Sequence, residues 1–467
     1  MAVRVLLVLA VLMAFYGCGQ SNPVPEQAEK EEKDFEQFPA EVQTASTKPN
    51  FVFILTDDLD AQLLRDRLRD YPNLRRLAAN GATFDNAFVT TSLCCPSRST
   101  ILRGQYSHNH KILTNQAPLG GAQRFRDLGR ENSTVATWLR SGGYRTVQIG
   151  KYLNGYESPV PPGWDEWYGG GAGGAYTTDH YAGEASTFIR GTQGESQPFF
   201  MWLGTQAPHK PAIPPPRYAD RFPDAVATRP PSFDEADISD KPGWVRQKAP
   251  LTSTEISGLD TFYRNRLRSM LAVDDLVGKV VDSLRYSGKL SNTYIVFTTD
   301  NGMSMGEHRR DSAKWSAYEE DMKVPLIVRG PNVPEGVKRT HTVLNNDFAP
   351  TFAQLGRVPV PSFVDGRSFV PLLRSGPPAP SNWRSAFLEE AVANAVDRPA
   401  FKAVRTHKHL WVEYANGERE LYDLAEDPYE LQSLHQTASA DLKQRLSSKL
   451  DRLRDCARDG CRTAEGF

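Results

Sequence analysis

Residues Phe51-Val52-Phe53-Ile54-Leu55-Thr56 form an unbroken apolar run that ends in two adjacent carboxylates, Asp57-Asp58. A strand with one wet face alternates polar and apolar residues. A continuous run predicts a strand covered on both faces, as in a parallel sheet between helix layers. A helical pattern follows, with Leu74, Leu77 and Ala78 on one side and Asn80-Gly81 to close it. Runs like the first recur at Thr146–Ile149, Phe199–Leu203, Tyr294–Thr299 and Pro325–Val328. Helical stretches lie between them, at Thr134–Arg140 and near Asp260–Tyr286. This alternation predicts an α/β fold, a mostly parallel sheet flanked by helices. In such folds chemistry gathers at the carboxyl ends of the strands, where Asp57-Asp58 and Asp300-Asn301 both stand.

The ends of the chain read differently. Residues 1–17 resemble an export signal: Arg4 precedes an apolar run, Val5 to Phe15, too short to span a bilayer. Gly17-Cys18 at its end resembles a bacterial lipobox, which would lipidate Cys18 and tether the protein to the cell envelope. An ordinary cleaved signal is the alternative, and either route takes the chain out of the cytoplasm. Residues 18–48 are polar and carry no apolar period, so they read as a flexible linker. Residues 49–375 form the main domain, with Ala207–Pro250 as a Pro-rich surface excursion. Residues 376–467 read as a smaller α+β subdomain. Its short antiparallel sheet would use Phe401–Arg405, Leu410–Tyr414 and Glu420–Leu424, with a turn at Asn416-Gly417 and a closing helix at Ala440–Arg454. Basic residues number 55 and acidic residues 56, so no overall field draws nucleic acid.

The sharpest motif is Ser92-Leu93-Cys94-Cys95-Pro96-Ser97-Arg98-Ser99-Thr100-Ile101-Leu102-Arg103-Gly104. It resembles the signature of the sulfatase family, within the alkaline-phosphatase-like superfamily. Gly143-Tyr144-Arg145-Thr146-Val147-Gln148-Ile149-Gly150-Lys151-Tyr152-Leu153 resembles the family's second signature. With Asp57-Asp58 and Asp300-Asn301-Gly302, these motifs follow the family order. Gly150-Lys151-Tyr152-Leu153-Asn154, Cys94-Cys95 and Tyr106-Ser107-His108-Asn109-His110 resemble the N-acetylglucosamine-6-sulfatase branch.

The resemblance implies that Cys94 is converted to formylglycine (3-oxoalanine) by a formylglycine-generating enzyme. It also implies that Ca²⁺ is held by Asp57, Asp58, Asp300, Asn301 and the residue 94 oxygen. Arg98 and Lys151 would be cationic partners of the sulfate, His209 the acid near the leaving oxygen, and Lys314 a bridge between the two. Asn154 and His308 are candidate substrate contacts. The substrate would be a sulfated saccharide, 6-O-sulfated glucosamine or N-acetylglucosamine in a sulfated glycan. A broad arylsulfatase, a formylglycine-dependent phosphonate or phosphodiester hydrolase, and a glycan-binding protein without turnover are the alternatives.

The chemistry agrees with that set. A sulfate ester is an anion with a poor alkoxide leaving group. Its hydrolysis needs a nucleophile, neutralised oxygens and a proton for the departing oxygen. A hydrated aldehyde supplies one hydroxyl to attack sulfur and a second to expel sulfate as the carbonyl reforms. All-oxygen ligands suit Ca²⁺ better than Zn²⁺. Pro96 in a first helical turn would aim free N–H groups at the sulfo group.

Some readings stay open. His209 fits a structural loop position too, and Lys314 fits a solvated helix face. Many sulfatases place a sulfate-releasing His where Leu153 stands, so His308, His108, His110 or water is left for that task. Cys456 and Cys461 suit a local disulfide, which leaves Cys95 as a small buried thiol. Asn132-Ser133-Thr134 matches a glycosylation acceptor, though Asn132 or Ser133 as a helix cap is simpler.

Overall fold

The computed structural model describes residues 47–156, 158–169, 176–394 and 397–466. The export signal and most of the linker lie outside the described residues. No helix among the described residues is long and apolar enough to cross a membrane.

Strand β1 (Asn50–Thr56) leads into helix α1 (Pro72–Ala79), strand β2 (Ala82–Phe88) and helix α2 (Cys94–Arg103). Helix α3 (Val135–Ser141), β3 (Arg145–Gly150), β4 (Glu166–Tyr168), α4 (Thr177–Gly191) and β5 (Phe199–Gly204) follow. The long helix α5 (Ser253–Tyr286) precedes β6 (Thr293–Thr299), β7 (Lys323–Val324), β8 (Ile327–Arg329), β9 (Val337–Leu344) and α6 (Phe348–Leu355). A second sheet of β10 (Ala386–Ala391), β11 (Phe401–Thr406), β12 (His409–Tyr414) and β13 (Arg419–Asp423) comes next. Helices α7 (Ala440–Leu453) and α8 (Asp459–Glu465) close the described chain.

The large sheet runs β4-β3-β5-β1-β6-β8-β2-β7, with β9 beside β2. It is mixed. Strands β4 to β6 are parallel, whereas β8 runs against both β6 and β2. Every residue of β1, β5 and β6 is buried, as a strand between two helix layers requires. Phe51 packs its ring 5.2 Å from Phe352 of α6, and Phe53 packs 5.3 Å from Trp202 of β5. Such pairs add about 1 kcal/mol beyond area burial.

The second sheet is antiparallel throughout and has strand order β10-β11-β12-β13. Its core is continuous with the main one: Phe387, Leu388, Val404 and Trp411 join the same apolar cluster as Phe51 and Phe88. The C-terminal segment also grips the loop before α2. Glu390 N–H donates to the Thr90 carbonyl at 3.0 Å, and Thr91 Oγ1 donates to the Glu390 carbonyl at 2.9 Å. Cys456 and Cys461 form a disulfide between the turn after α7 and helix α8. Glu465, fully buried, accepts from Tyr106 Oη at 2.7 Å, Arg384 Nε at 2.8 Å and Arg367 Nη2 at 3.0 Å.

Two expectations shift by a residue or more. The long helix begins at Ser253, because Thr252 and Glu255 close a capping box there. The cap of α3 is Thr134 rather than Asn132 or Ser133, and Thr134 Oγ1 accepts from Thr137 N–H.

Candidate active site

Strand register assembles the site. Thr56 pairs with Thr299, so Asp57-Asp58 leaves the sheet beside Asp300-Asn301. Gly150 pairs with Gly204, so Lys151 emerges next to the chain leading to His209. Gly150 sits at φ +83°, and a Cβ there would lie 2.0 Å from the Gly204 carbonyl oxygen. Only glycine allows that approach. Asp57 N–H donates to the Ala207 carbonyl at 3.2 Å, tying the His209 loop to the same strand end.

Helix α2 delivers Cys94 as its first residue, and all its residues are buried. Its N-cap, Leu93, offers no side-chain bond. Cys95 N–H instead donates to Asn115 Oδ1 at 2.8 Å, a contact that sequence reasoning did not find because Asn115 lies in a separate loop. The Cys94 thiol donates to Asp57 Oδ1 at 3.4 Å and lies 3.9 Å from Asp58 Oδ1. Lys314 Nζ donates to Cys94 Sγ at 2.9 Å and to Asp58 Oδ1 at 2.5 Å. Asn301 Nδ2 donates to Asp58 Oδ1 at 2.6 Å. Asp58 N–H donates to Asp300 Oδ1 at 3.2 Å. Arg98, fully buried, donates from Nε to Asp300 Oδ2 at 2.7 Å and from Nη1 to the Lys151 carbonyl at 2.8 Å. Lys151 Nζ pairs with Asp57 Oδ2. His209 Nε2 stands 3.5 Å from Asp58 Oδ2, with its side chain 39% exposed at the mouth of the site.

The electrostatics follow from burial and pairing. Burial, then Asp57 and Asp300, push the Cys94 thiol up, so little thiolate exists near neutrality. Burial alone would raise Asp57, but Lys151 and Arg98 beside it hold its carboxyl below the usual range. Burial opposes the charge on Lys151 and Lys314, and the facing carboxylates overcome it and hold both well protonated.

Ligand atoms of Asp57, Asp58, Cys94 and His209 all lie within 4.8 Å of one another. Asp58 Oδ2 and Asn301 Oδ1 are buried acceptors with no hydrogen-bond partner among the described residues. Hard oxygens left unsatisfied among converging carboxylates fit an oxygen-seeking cation. Beside them a cleft of about 490 Å³ opens, lined by Asp57, Lys151, Tyr176, His209, Lys210 and Ile213 among others.

Other candidates sit elsewhere. His308 is fully buried; its Nδ1 bonds Glu235 Oε2 at 2.7 Å and its ring stacks on Tyr318, 4.1 Å between centroids. Its near neighbours are Glu320 and Glu430 rather than Cys94. His110 bonds Thr100 Oγ1 at 2.9 Å, and His108 bonds Glu390 Oε1 at 2.8 Å and the Cys456 carbonyl at 2.7 Å. No hydrogen bond or ion pair among the described residues links any of these three histidines to Cys94. Asn154 is half-buried: its backbone bonds the Cys95 sulfur, and its Oδ1 is buried without a partner among the described residues. Leu153 is part of the apolar core. Cys95 is a free buried thiol, pushed up to about 11 mainly by burial.

Comparisons with known proteins agree with this geometry. The family model described as Sulfatase matches residues 49–358, and the one described as N-sulphoglucosamine sulphohydrolase, C-terminal, matches residues 306–456. The N-acetylglucosamine-6-sulfatase of Capra hircus is 31% identical, over 90% of this chain and 86% of its own. The extracellular sulfatase SULF-1 homolog of Drosophila melanogaster is 36% identical over 74% of this chain, which spans only 33% of that relative. A solved structure in complex with its substrate D-glucosamine-2-N,6-O-disulfate has a TM-score of 0.76 at 25% identity, covering 87% of this chain and 97% of that one. The chain therefore belongs to the formylglycine-dependent sulfatase family of the alkaline-phosphatase-like superfamily.

Proposed function

We propose that this enzyme hydrolyses sulfate esters of sulfated sugars, acting on the 6-O-sulfate of glucosamine or N-acetylglucosamine. The observation that carries the reading is a buried Cys94 Sγ between two carboxylates and the Lys314 ammonium, at the head of α2. A thiol so protonated is a poor nucleophile in its own right. Conversion of Cys94 to formylglycine would supply a hydroxyl nucleophile and a route to release sulfate without water attacking sulfur. A calcium ion held by Asp57, Asp58, Asp300 and Asn301 would supply positive charge for that hydroxyl and a sulfate oxygen.

The chain's own residues do the rest. Arg98 orients Asp300 and fixes the backbone from which Lys151 projects. Lys151 and Lys314 present ammonium groups to an anion at residue 94. His209, half-exposed at the mouth, protonates the departing sugar oxygen. The names of the N-acetylglucosamine-6-sulfatase relatives and the disulfated glucosamine of the solved neighbour support the choice of sugar. Export, with lipid on Cys18, completes the reading, and radiolabelled fatty acid on wild type but not on Cys18→Ala would verify it.

Sulfate release from glucosamine 6-sulfates, together with mass spectrometry of the residue 94 peptide, tests the proposal. Active protein carrying unmodified Cys94 would sink the mechanism. Turnover of aryl sulfates alone, or of phosphate esters with the same leaving group in preference, would sink the substrate.

A further inference from the structure

Asp58 carries an unusual load. Its carboxylate meets Lys314 and Asn301, yet its backbone adopts φ +61°, the left-handed region that a non-glycine residue enters only at a cost. That turn keeps Asp57 and Asp58 on one side of the strand end; in extended β geometry successive side chains would point to opposite faces. Something must hold the peptide there.

The holding groups come from α5. Arg266, with no exposed surface, donates from Nη2 to the Asp58 carbonyl at 2.6 Å and to Asp60 Oδ2 at 2.9 Å. Asp60 uses its other oxygen to cap the short helix Ala61–Arg67, accepting from Leu63 N–H at 2.6 Å. A single guanidinium nitrogen thus ties the Asp58 peptide to a helix cap two residues on. On the other side, Leu59 N–H donates to Thr299 Oγ1 at 3.2 Å, so the bend is pinned from both flanks.

Arg266 Nε and Nη1 are buried and make no hydrogen bond among the described residues. A guanidinium taken out of water with unsatisfied donors is a poor way to gain stability; an apolar side chain of similar volume does as well or better. The bond to Asp58 is what an apolar side chain could not provide.

We propose that Arg266, with Asp60, is a positioning residue for Asp58: it holds the left-handed turn that aims both carboxylates at one point. The pair touches neither substrate nor the reacting atoms and acts only through the Asp58 backbone. The inference rests on the proposed cation site at Asp57, Asp58, Asp300 and Asn301.

The test is calorimetric calcium titration of the mature, metal-stripped enzyme, alongside kcat and KM for a glucosamine 6-sulfate. Arg266→Met should weaken calcium binding by about tenfold or more and lower kcat with little change in KM, the usual reach of a group that orients a ligand. Arg266→Lys, which can still donate to the Asp58 carbonyl, should recover most of the affinity. Asp60→Asn keeps the helix cap and should give an intermediate loss. Each variant is also melted in chelator, so that folding defects are seen apart from metal loss. A purely structural Arg266 would lower the chelator melting point and leave calcium affinity of the folded fraction unchanged; that result overturns the proposal. Wild type that binds no calcium would instead remove the cation site itself.

Discussion

At the scale of single residues, charge is packed unusually tightly around one sulfur. Asp57, Asp58 and Asp300 converge on Cys94, with Arg98, Lys151 and Lys314 interleaved among them. Cys94→Ala removes the proposed precursor of the nucleophile, so sulfate release should fall at least about a thousandfold while circular dichroism is unchanged. His209→Gln removes the proposed proton donor at the mouth of the site and leaves the buried carboxylates and lysines in place. Turnover of sugar sulfates should drop about a hundredfold or more, and that of aryl sulfates with good leaving groups much less. An equal loss on both would argue against the acid role. The strand-end positions among them are legible in sequence, because a buried apolar run that stops at carboxylates marks a strand leaving the core at a polar site. His308 does not join that group in the structure. That residue follows Gly306-Glu307 close to Lys314 in the chain, but its backbone turns at φ +51° and its ring meets Tyr318 and Glu235. Nearness in sequence carries no information about which way such a turn points.

At the scale of elements, legibility followed hydrophobic contrast. β1, β5 and β6 are buried along their whole length and stand out in sequence. β2 reads Ala82-Thr83-Phe84-Asp85-Asn86-Ala87-Phe88, with an exposed residue at its centre, and β9 alternates before it is buried, so neither rises above its surroundings. Helix α4 contains Thr177, Thr178, His180 and Gly183, weak helix formers sustained by packing against α5 and β3. Antiparallel β8 could not be foreseen, since a three-residue strand carries no sign of its direction. The disulfide was readable because Cys456 and Cys461 are only five positions apart. A loop so short gives a modest gain. Cys456→Ala with Cys461→Ala should cost about 2 kcal/mol in denaturant unfolding and leave kcat intact.

At the scale of the whole molecule, buried acids join the two sheets. Tyr318 Oη donates to Glu420 of β13 at 2.7 Å, and Glu319 N–H donates to Glu430 at 3.0 Å. Burial, then Glu319, raise Glu430 to about 8, and burial raises Glu235 to about 7. Both lie above the ordinary glutamate value near 4.5. The folded state therefore binds protons that the unfolded chain has released, and this stabilisation is complete below about pH 4.5 and lost as pH rises through 7 to 8. Melting temperature should decline between about pH 4.5 and about pH 8, and Glu430→Gln should flatten that decline. A rising curve over the same interval would refute the assignment. The buried Glu465 has a separate practical consequence. Glu465→Ala would delete the carboxylate shared by Tyr106, Arg384 and Arg367. Loss of this one carboxylate should thus register as poor folding yield, although every group near Cys94 is retained.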